Sequence, residues 1–84
     1  EAECVAKARG VTLPPGDRQA EVLAIARATK DNKSSMLQDV LKRRRTEIEA
    51  INGAIVSEGM RLGVPTPIND ALTLMVKALE RSYA

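Results

Sequence analysis

The chain has 84 residues, a net charge of +2 at pH 7 and a single aromatic residue, Tyr83, with no Phe, Trp or His. A domain this small buries only about 60% of the surface its unfolded chain exposes, so its core is thin and must be built from Leu, Ile, Val, Met and Ala. This composition argues against a small β-sandwich or barrel, and it excludes the usual zinc sites and any Ser-His-Asp or Cys-His arrangement within the chain.

Five helical segments can be drawn. The first, Glu1 to Arg9, opens in the middle of a helical pattern with no cap and no initiating Met, which predicts that the helix belongs to a longer parent. It ends at Gly10, a residue suited to the left-handed helix terminus. Pro14 and Pro15 make the next stretch a connector. Asp17 is the expected N-cap of a second helix, Arg18 to Thr29, with Val22, Ile25, Ala26 and Thr29 on one face. Residues 30–33 read as a polar loop. Ser35 to Gln38 fits a capping box, so Ser35 is the expected cap of a third helix carrying Met36, Leu37, Val40 and Leu41 on one side.

Thr46 to Glu49 forms a second capping box. It starts a fourth helix with Ile48, Ile51, Ile55 and Leu62 in one stripe, ending near Gly63. Thr66 is the expected cap of the last helix, and Pro67 occupies its first position, where a missing N–H costs nothing. Ile68, Leu72, Met75 and Leu79 recur at helical spacing along it. No strand is predicted, and the expected fold class is all-α.

The function classes narrow accordingly. The glycines form neither a Gly-x-Gly-x-x-Gly nor a P-loop, so no phosphate cradle is present and the chain alone is not a complete enzyme. Lys42 to Arg45 is the one basic block. It reads as closure of the third helix, complementing the helix dipole, and not as a nucleic-acid site, because no stacking aromatics accompany it. One cysteine, Cys4, leaves no internal disulfide and points to a reducing, cytoplasmic setting. The longest apolar run, near Leu72 to Val76, falls far short of the roughly 20 residues that cross a bilayer. A soluble chain without metal, nucleic acid or membrane partner is expected.

Two residues have both a structural and a functional reading. Ser35 can cap its helix, or its helix start can receive an anionic group such as a carboxylate. Glu47 can sit in a first turn for the dipole. It also lies at the margin of the Ile48 stripe, where a carboxylate can accept from ribose hydroxyls or pair with a lysine. Asn52-Gly53 inside the fourth helix calls for compensation, because Gly there costs about 1 kcal/mol relative to Ala. Ser35 and Glu47 are 12 residues apart. On one unbroken helix that is about 18 Å, so a shared ligand requires a chain break near Arg45, which the second capping box predicts.

Residues 32–39 (Asn-Lys-Ser-Ser-Met-Leu-Gln-Asp), then Arg45-Thr46-Glu47-Ile48, then Ile51-Asn52-Gly53, resemble the C-terminal domain of the ketopantoate reductases. Gly63 to Asn69 and Lys77 to Glu80 extend the resemblance, which runs from about Gly10 to Glu80. It implies a helical domain similar in fold to the C-terminal domain of 6-phosphogluconate dehydrogenase, truncated at its N-terminus and lacking the Rossmann domain that precedes it. The implied parent reduces 2-dehydropantoate to pantoate with NADPH, a step toward coenzyme A. The resemblance makes Ser35 and Asn32 substrate-binding residues and Glu47 a cofactor-binding residue near the nicotinamide ribose. The proton-donating lysine of the family lies upstream, and neither Lys7 nor Lys33 takes its place. The implied partners are the 2-oxo acid and the parent's own N-terminal domain. Apolar faces left uncovered predict a homodimer or swapped assembly in isolation. The alternative is a free-standing helical protein-interaction module without catalysis.

Overall fold

Residues 1–83 are described by a computed structural model, in which helices α1 (Ala2–Ala8), α2 (Arg18–Ala28), α3 (Ser35–Leu41), α4 (Ala54–Leu62) and α5 (Pro67–Arg81) follow one another. Among the described residues there is no strand, and no helix is long and apolar enough to cross a membrane. A π-helical segment, Glu49–Gly53, leads directly into α4.

Local chemistry explains most of the boundaries. Gly10, at φ 91°, ends α1. Its N–H donates to Lys7 O at 3.0 Å and that of Val11 to Ala6 O at 2.9 Å, the paired bonds of a Schellman terminus. Asp17 caps α2 by accepting from the Gln19 and Ala20 amides at 3.0 and 3.2 Å. The end of α3 repeats the Schellman pattern without a glycine. Arg43 takes φ 55°, its N–H reaches Val40 O at 3.1 Å, and that of Arg44 reaches Asp39 O at 2.8 Å. The expected break before Thr46 is therefore present, closed by an arginine in glycine's conformation. Gly63, at φ 71°, ends α4, with Val64 N–H on Gly59 O at 2.8 Å.

Three expectations need correction. The cap of α3 is Ser34 and not Ser35. Ser34 has the extended backbone of a cap (φ −62°, ψ 157°), and its Oγ accepts from Leu37 N at 3.1 Å. Ser35 is the first helical residue. Thr66 does not cap α5 with its side chain. It is buried against Gly59, where a Cβ would meet Thr66 Cγ2 at 2.8 Å and Val64 O at 2.7 Å. The capping is done by Glu1, whose carboxylate accepts from Ile68 N and Asn69 N, each at 2.8 Å, and from Asn69 Nδ2 at 2.6 Å. Finally, the fourth helix does not begin as an α-helix. Its first turn is the π segment, and the atoms nearest an added Cβ at Gly53 are those of Ile48 and Glu49 in its own segment, at 3.6 Å, so no neighbouring helix approaches that glycine.

Packing centres on the π segment. It touches α4 and α5, and α1 lies against α4. Ile48 (3% exposed) and Val5 (6%) are the buried apolar residues. The body measures 42 × 32 × 15 Å. A helix with its side chains is about 10–12 Å across, so the thin dimension holds at most two helices and encloses little core. The radius of gyration, 14.6 Å, exceeds the roughly 12 Å of a compact chain of this length.

The consequence is a large uncovered apolar surface. Every residue of α2 beyond Arg18 is exposed, Val22, Leu23 and Ile25 included. At about 100° per residue those three point in different directions, so no single face of α2 collects them. The Ile68, Leu72, Met75 and Leu79 stripe of α5 also faces outward. The side of α5 turned toward the chain carries Asn69, Thr73, Val76, Lys77 and Glu80. The buried Thr73 hydroxyl is satisfied by donating to Asn69 O at 2.7 Å.

Candidate functional site

The three residues singled out in sequence lie on the two sides of the 42–47 turn. Asn32 is in the exposed loop before α3, with its N–H on Thr29 O at 2.9 Å. Ser35 is exposed at the first position of α3. Because Ser34 supplies the capping oxygen, the Ser35 hydroxyl has no structural duty among the described hydrogen bonds. Glu47 precedes the π segment and is exposed. Its carbonyl accepts from Ile51 N at 3.0 Å, while its carboxylate has no partner among the described residues. The turn thus separates two helix starts instead of stringing them on one rod. No hydrogen bond joins the Asn32 or Ser35 side chain to Glu47.

The backbone around Glu47 is held on both sides. Thr46 Oγ1 accepts from Ile48 N at 3.2 Å, one residue short of the Glu49 amide that a capping box uses. The return arm of that box is missing. Glu49, which would reach back to the Thr46 N–H, is bound instead by Lys77 Nζ at 2.5 Å. Glu80 replaces it: Oε2 accepts from Thr46 N at 2.5 Å, from 34 residues further along the chain. Both carboxyls are held below the ordinary carboxylate range. For Glu49 the main cause is the Lys77 hydrogen bond, followed by the Lys77 charge. For Glu80 it is the Thr46 backbone N–H, and Arg45 adds its positive charge to both.

A second network ties the π segment to the chain start. Asn52 Nδ2 donates to Asn69 Oδ1 at 2.9 Å, and Asn69 in turn donates to Glu1. Loss of water raises the Glu1 carboxyl, but the hydrogen bonds from Asn69 and Ile68 outweigh this and leave it lowered. Sequence reasoning missed Lys77, Glu80, Asn69 and Glu1. Each acts across a long separation, and no local pattern announces such a partner. Among the described residues no cluster of His, Cys, Asp and Glu is arranged to hold a metal.

The model of the ketopantoate reductase PanE/ApbA C-terminal family matches residues 1–80. The chain belongs to that family. The 2-dehydropantoate 2-reductase of Pyrobaculum aerophilum is 49% identical over 76 residues, which are 90% of this chain and 27% of that protein. The enzyme of the same name from Archaeoglobus fulgidus is 44% identical over 64 residues, covering 76% of this chain and 22% of the relative. The crystal structure of a PanE/ApbA family ketopantoate reductase from Ralstonia eutropha JMP134 superposes with a TM-score of 0.86 at 38% identity, over 94% of this chain and 26% of that one. The chain therefore spans roughly a quarter of the length of the relatives it matches. The family match begins at residue 1, so α1 belongs to the family region along with the segment from Gly10 onward.

Proposed function

We propose that this chain is the C-terminal helical domain of an NADPH-dependent 2-dehydropantoate 2-reductase, working in the cytoplasm on the path to coenzyme A. The observation that carries the reading is the family match over residues 1–80, with named reductases among the relatives. In this reading the chain forms one wall of a cleft whose other wall is a Rossmann domain. Ser35 and Asn32 hold the 2-oxo acid, and Glu47 faces the cofactor.

The residues suit these roles chemically. The Glu47 carboxylate is exposed and unpartnered among the described residues, and the ribose hydroxyls beside a nicotinamide are donors that it can accept. When bound, NADPH supplies the hydride that goes to the keto carbon. A lysine outside this chain gives the proton to the carbonyl oxygen, so ketone, hydride and proton become the alcohol. Ser35 and Asn32 keep the ketone in line for that transfer, which is a positioning contribution. The Ser35 hydroxyl is available for it because Ser34 does the capping.

The uncovered apolar residues of α2 and the stripe of α5 are also what a free-standing interaction module would present. The reductase reading accounts for them equally, as surfaces that meet the rest of the protein or a second subunit, and it accounts for the family match as well. The test is NADPH oxidation by the full-length protein with 2-dehydropantoate. Ser35→Ala and Glu47→Ala should each lower kcat/KM by about tenfold or more. Unchanged values in both would reduce these residues to surface polar groups.

A further inference from the structure

We propose that Glu80 is a positioning residue for the cofactor contact, fixing through the Thr46 backbone the place from which Glu47 reaches the nicotinamide ribose. This rests on the role proposed for Glu47.

The geometry isolates Glu47 between two pinned neighbours. On one side, Thr46 is held by its N–H on Glu80 Oε2 at 2.5 Å and by its Oγ1 on Ile48 N at 3.2 Å. On the other, Ile48 is 3% exposed and anchored in the core. The Glu47 carbonyl is tied into the helix by Ile51 N at 3.0 Å. Its carbonyl and both neighbouring residues are therefore held while its carboxylate remains free. A site needs this combination, since a contact group works when the elements around it are rigid and its own polar atoms are not spent.

The source of the constraint is informative. Thr46 and Glu49 have the spacing of a local capping box, which a structural cap could use without help from elsewhere in the chain. The chain takes Glu49 out of that box by pairing it with Lys77 and brings in Glu80, one turn further along α5, as the acceptor. The start of the helix is thereby referenced to α5 and not to itself. Movement of α5 relative to the turn shifts Glu47 directly. A local box would leave Glu47 indifferent to α5.

The experiment is a double-mutant cycle in the full-length protein, reading the Kd for NADPH from nicotinamide fluorescence and KM for 2-dehydropantoate from turnover. Glu47→Ala weakens NADPH binding. Glu80→Ala weakens it about five- to tenfold, the net worth of one hydrogen bond, and leaves KM for the 2-oxo acid within about twofold. Combined with Glu47→Ala, it adds no further loss, because nothing remains to be placed. Should Glu80→Ala fail to fold, two shape variants carry the test. Glu80→Asp keeps the charge but falls short of the Thr46 N–H, and it weakens NADPH binding as Ala does. Glu80→Gln keeps an oxygen in reach and recovers most of the lost affinity. Losses that add independently to Glu47→Ala, equal losses for both substrates, or Asp binding NADPH as tightly as Gln would make Glu80 a structural cap and overturn the proposal while leaving Glu47 in its role. NADPH binding unchanged by Glu47→Ala would overturn both.

Discussion

Gly59 offers the most direct test of the packing. An alanine there gains helix propensity worth about 1 kcal/mol, because α4 continues through this position. The same methyl would sit 2.7 Å from Val64 O and 2.8 Å from Thr66 Cγ2. The first of these is backbone, and its segment is fixed by the Val64 N–H on Gly59 O at 2.8 Å and by the buried Thr66. Relief therefore requires the α4–α5 connector to move as a unit, and overpacking of this kind costs about 1–3 kcal/mol. With a backbone oxygen as near as 2.7 Å the cost lies at the upper end, about 2–3 kcal/mol, and against the propensity gain it leaves a net loss of about 1–2 kcal/mol. For a chain of this size that lowers the thermal midpoint by roughly 5–10 °C. Gly53 is the internal control, since its added Cβ meets nothing closer than 3.6 Å. Far-UV circular dichroism melts of the two alanine variants should place Gly59→Ala below the parent and Gly53→Ala level with or above it. A Gly59→Ala midpoint equal to the parent's would refute the close approach of connector and helix.

Other consequences can be read in the same melts. Arg43 sits at φ 55°, so Arg43→Gly relieves about 1–2 kcal/mol of left-handed strain against about 0.4–1 kcal/mol of added unfolded-state entropy, and the midpoint should rise slightly. Ser34→Ala removes a cap and should cost about 1 kcal/mol, whereas Ser35→Ala should change stability by less than about 0.5 kcal/mol. The reverse ranking would restore Ser35 as the cap. The carboxyls of Glu1, Glu49, Glu58 and Glu80 are all lowered by the folded state, that of Glu58 chiefly by its Arg61 hydrogen bond. A group whose folded value is depressed stabilises the fold above its unfolded value and ceases to do so as pH falls through the folded one. Stability should thus be level from neutral pH down to about 5 and drop below about 4.5. A midpoint that climbs on further acidification would contradict these pairings.

How much was legible in the sequence follows from how far each interaction reaches. Asp17, Gly10, Gly63 and Pro67 act within a few residues of themselves, and the structure finds them as expected. The break before Thr46 was legible from the threonine but not from its closure, because an arginine in glycine's conformation has no compositional mark. Ser34 and Ser35 show the limit of a pattern. The Ser-x-x-Gln spacing selects Ser35, yet Gln38 Nε2 donates to Lys33 O at 3.0 Å and Ser34 takes the amide. For Thr46 and Thr66 the side chain was correctly seen as sitting at a helix start. What was invisible is that a carboxylate from elsewhere in the chain, Glu80 or Glu1, supplies the bond that a local partner would have supplied. Of the candidate site, the position of Glu47 at a helix start was readable, and the framework that holds it was not.

The outward stripe of α5 carries the last prediction. α5 has a strongly divided surface, but it is the polar side, with Asn69, Thr73, Lys77 and Glu80, that meets the π segment and the chain start. Such links orient a helix well and stabilise it weakly, since exposed ion pairs are worth little. The apolar stripe holds the larger driving force, and within this chain it is unused, with Ile68 65% and Met75 66% exposed. On the proposed reading, the remainder of the longer protein covers it. Met75→Glu then separates the two situations. In the 84-residue chain the glutamate stays in water, and stability should change by less than about 0.5 kcal/mol. In the full-length protein it replaces a covered apolar side chain with one that carries charge, at a cost of about 2–4 kcal/mol. Denaturant midpoints for both lengths decide it. Equal, small effects at both lengths would mean that the stripe stays exposed in the whole protein, and the covering surface would have to be sought elsewhere.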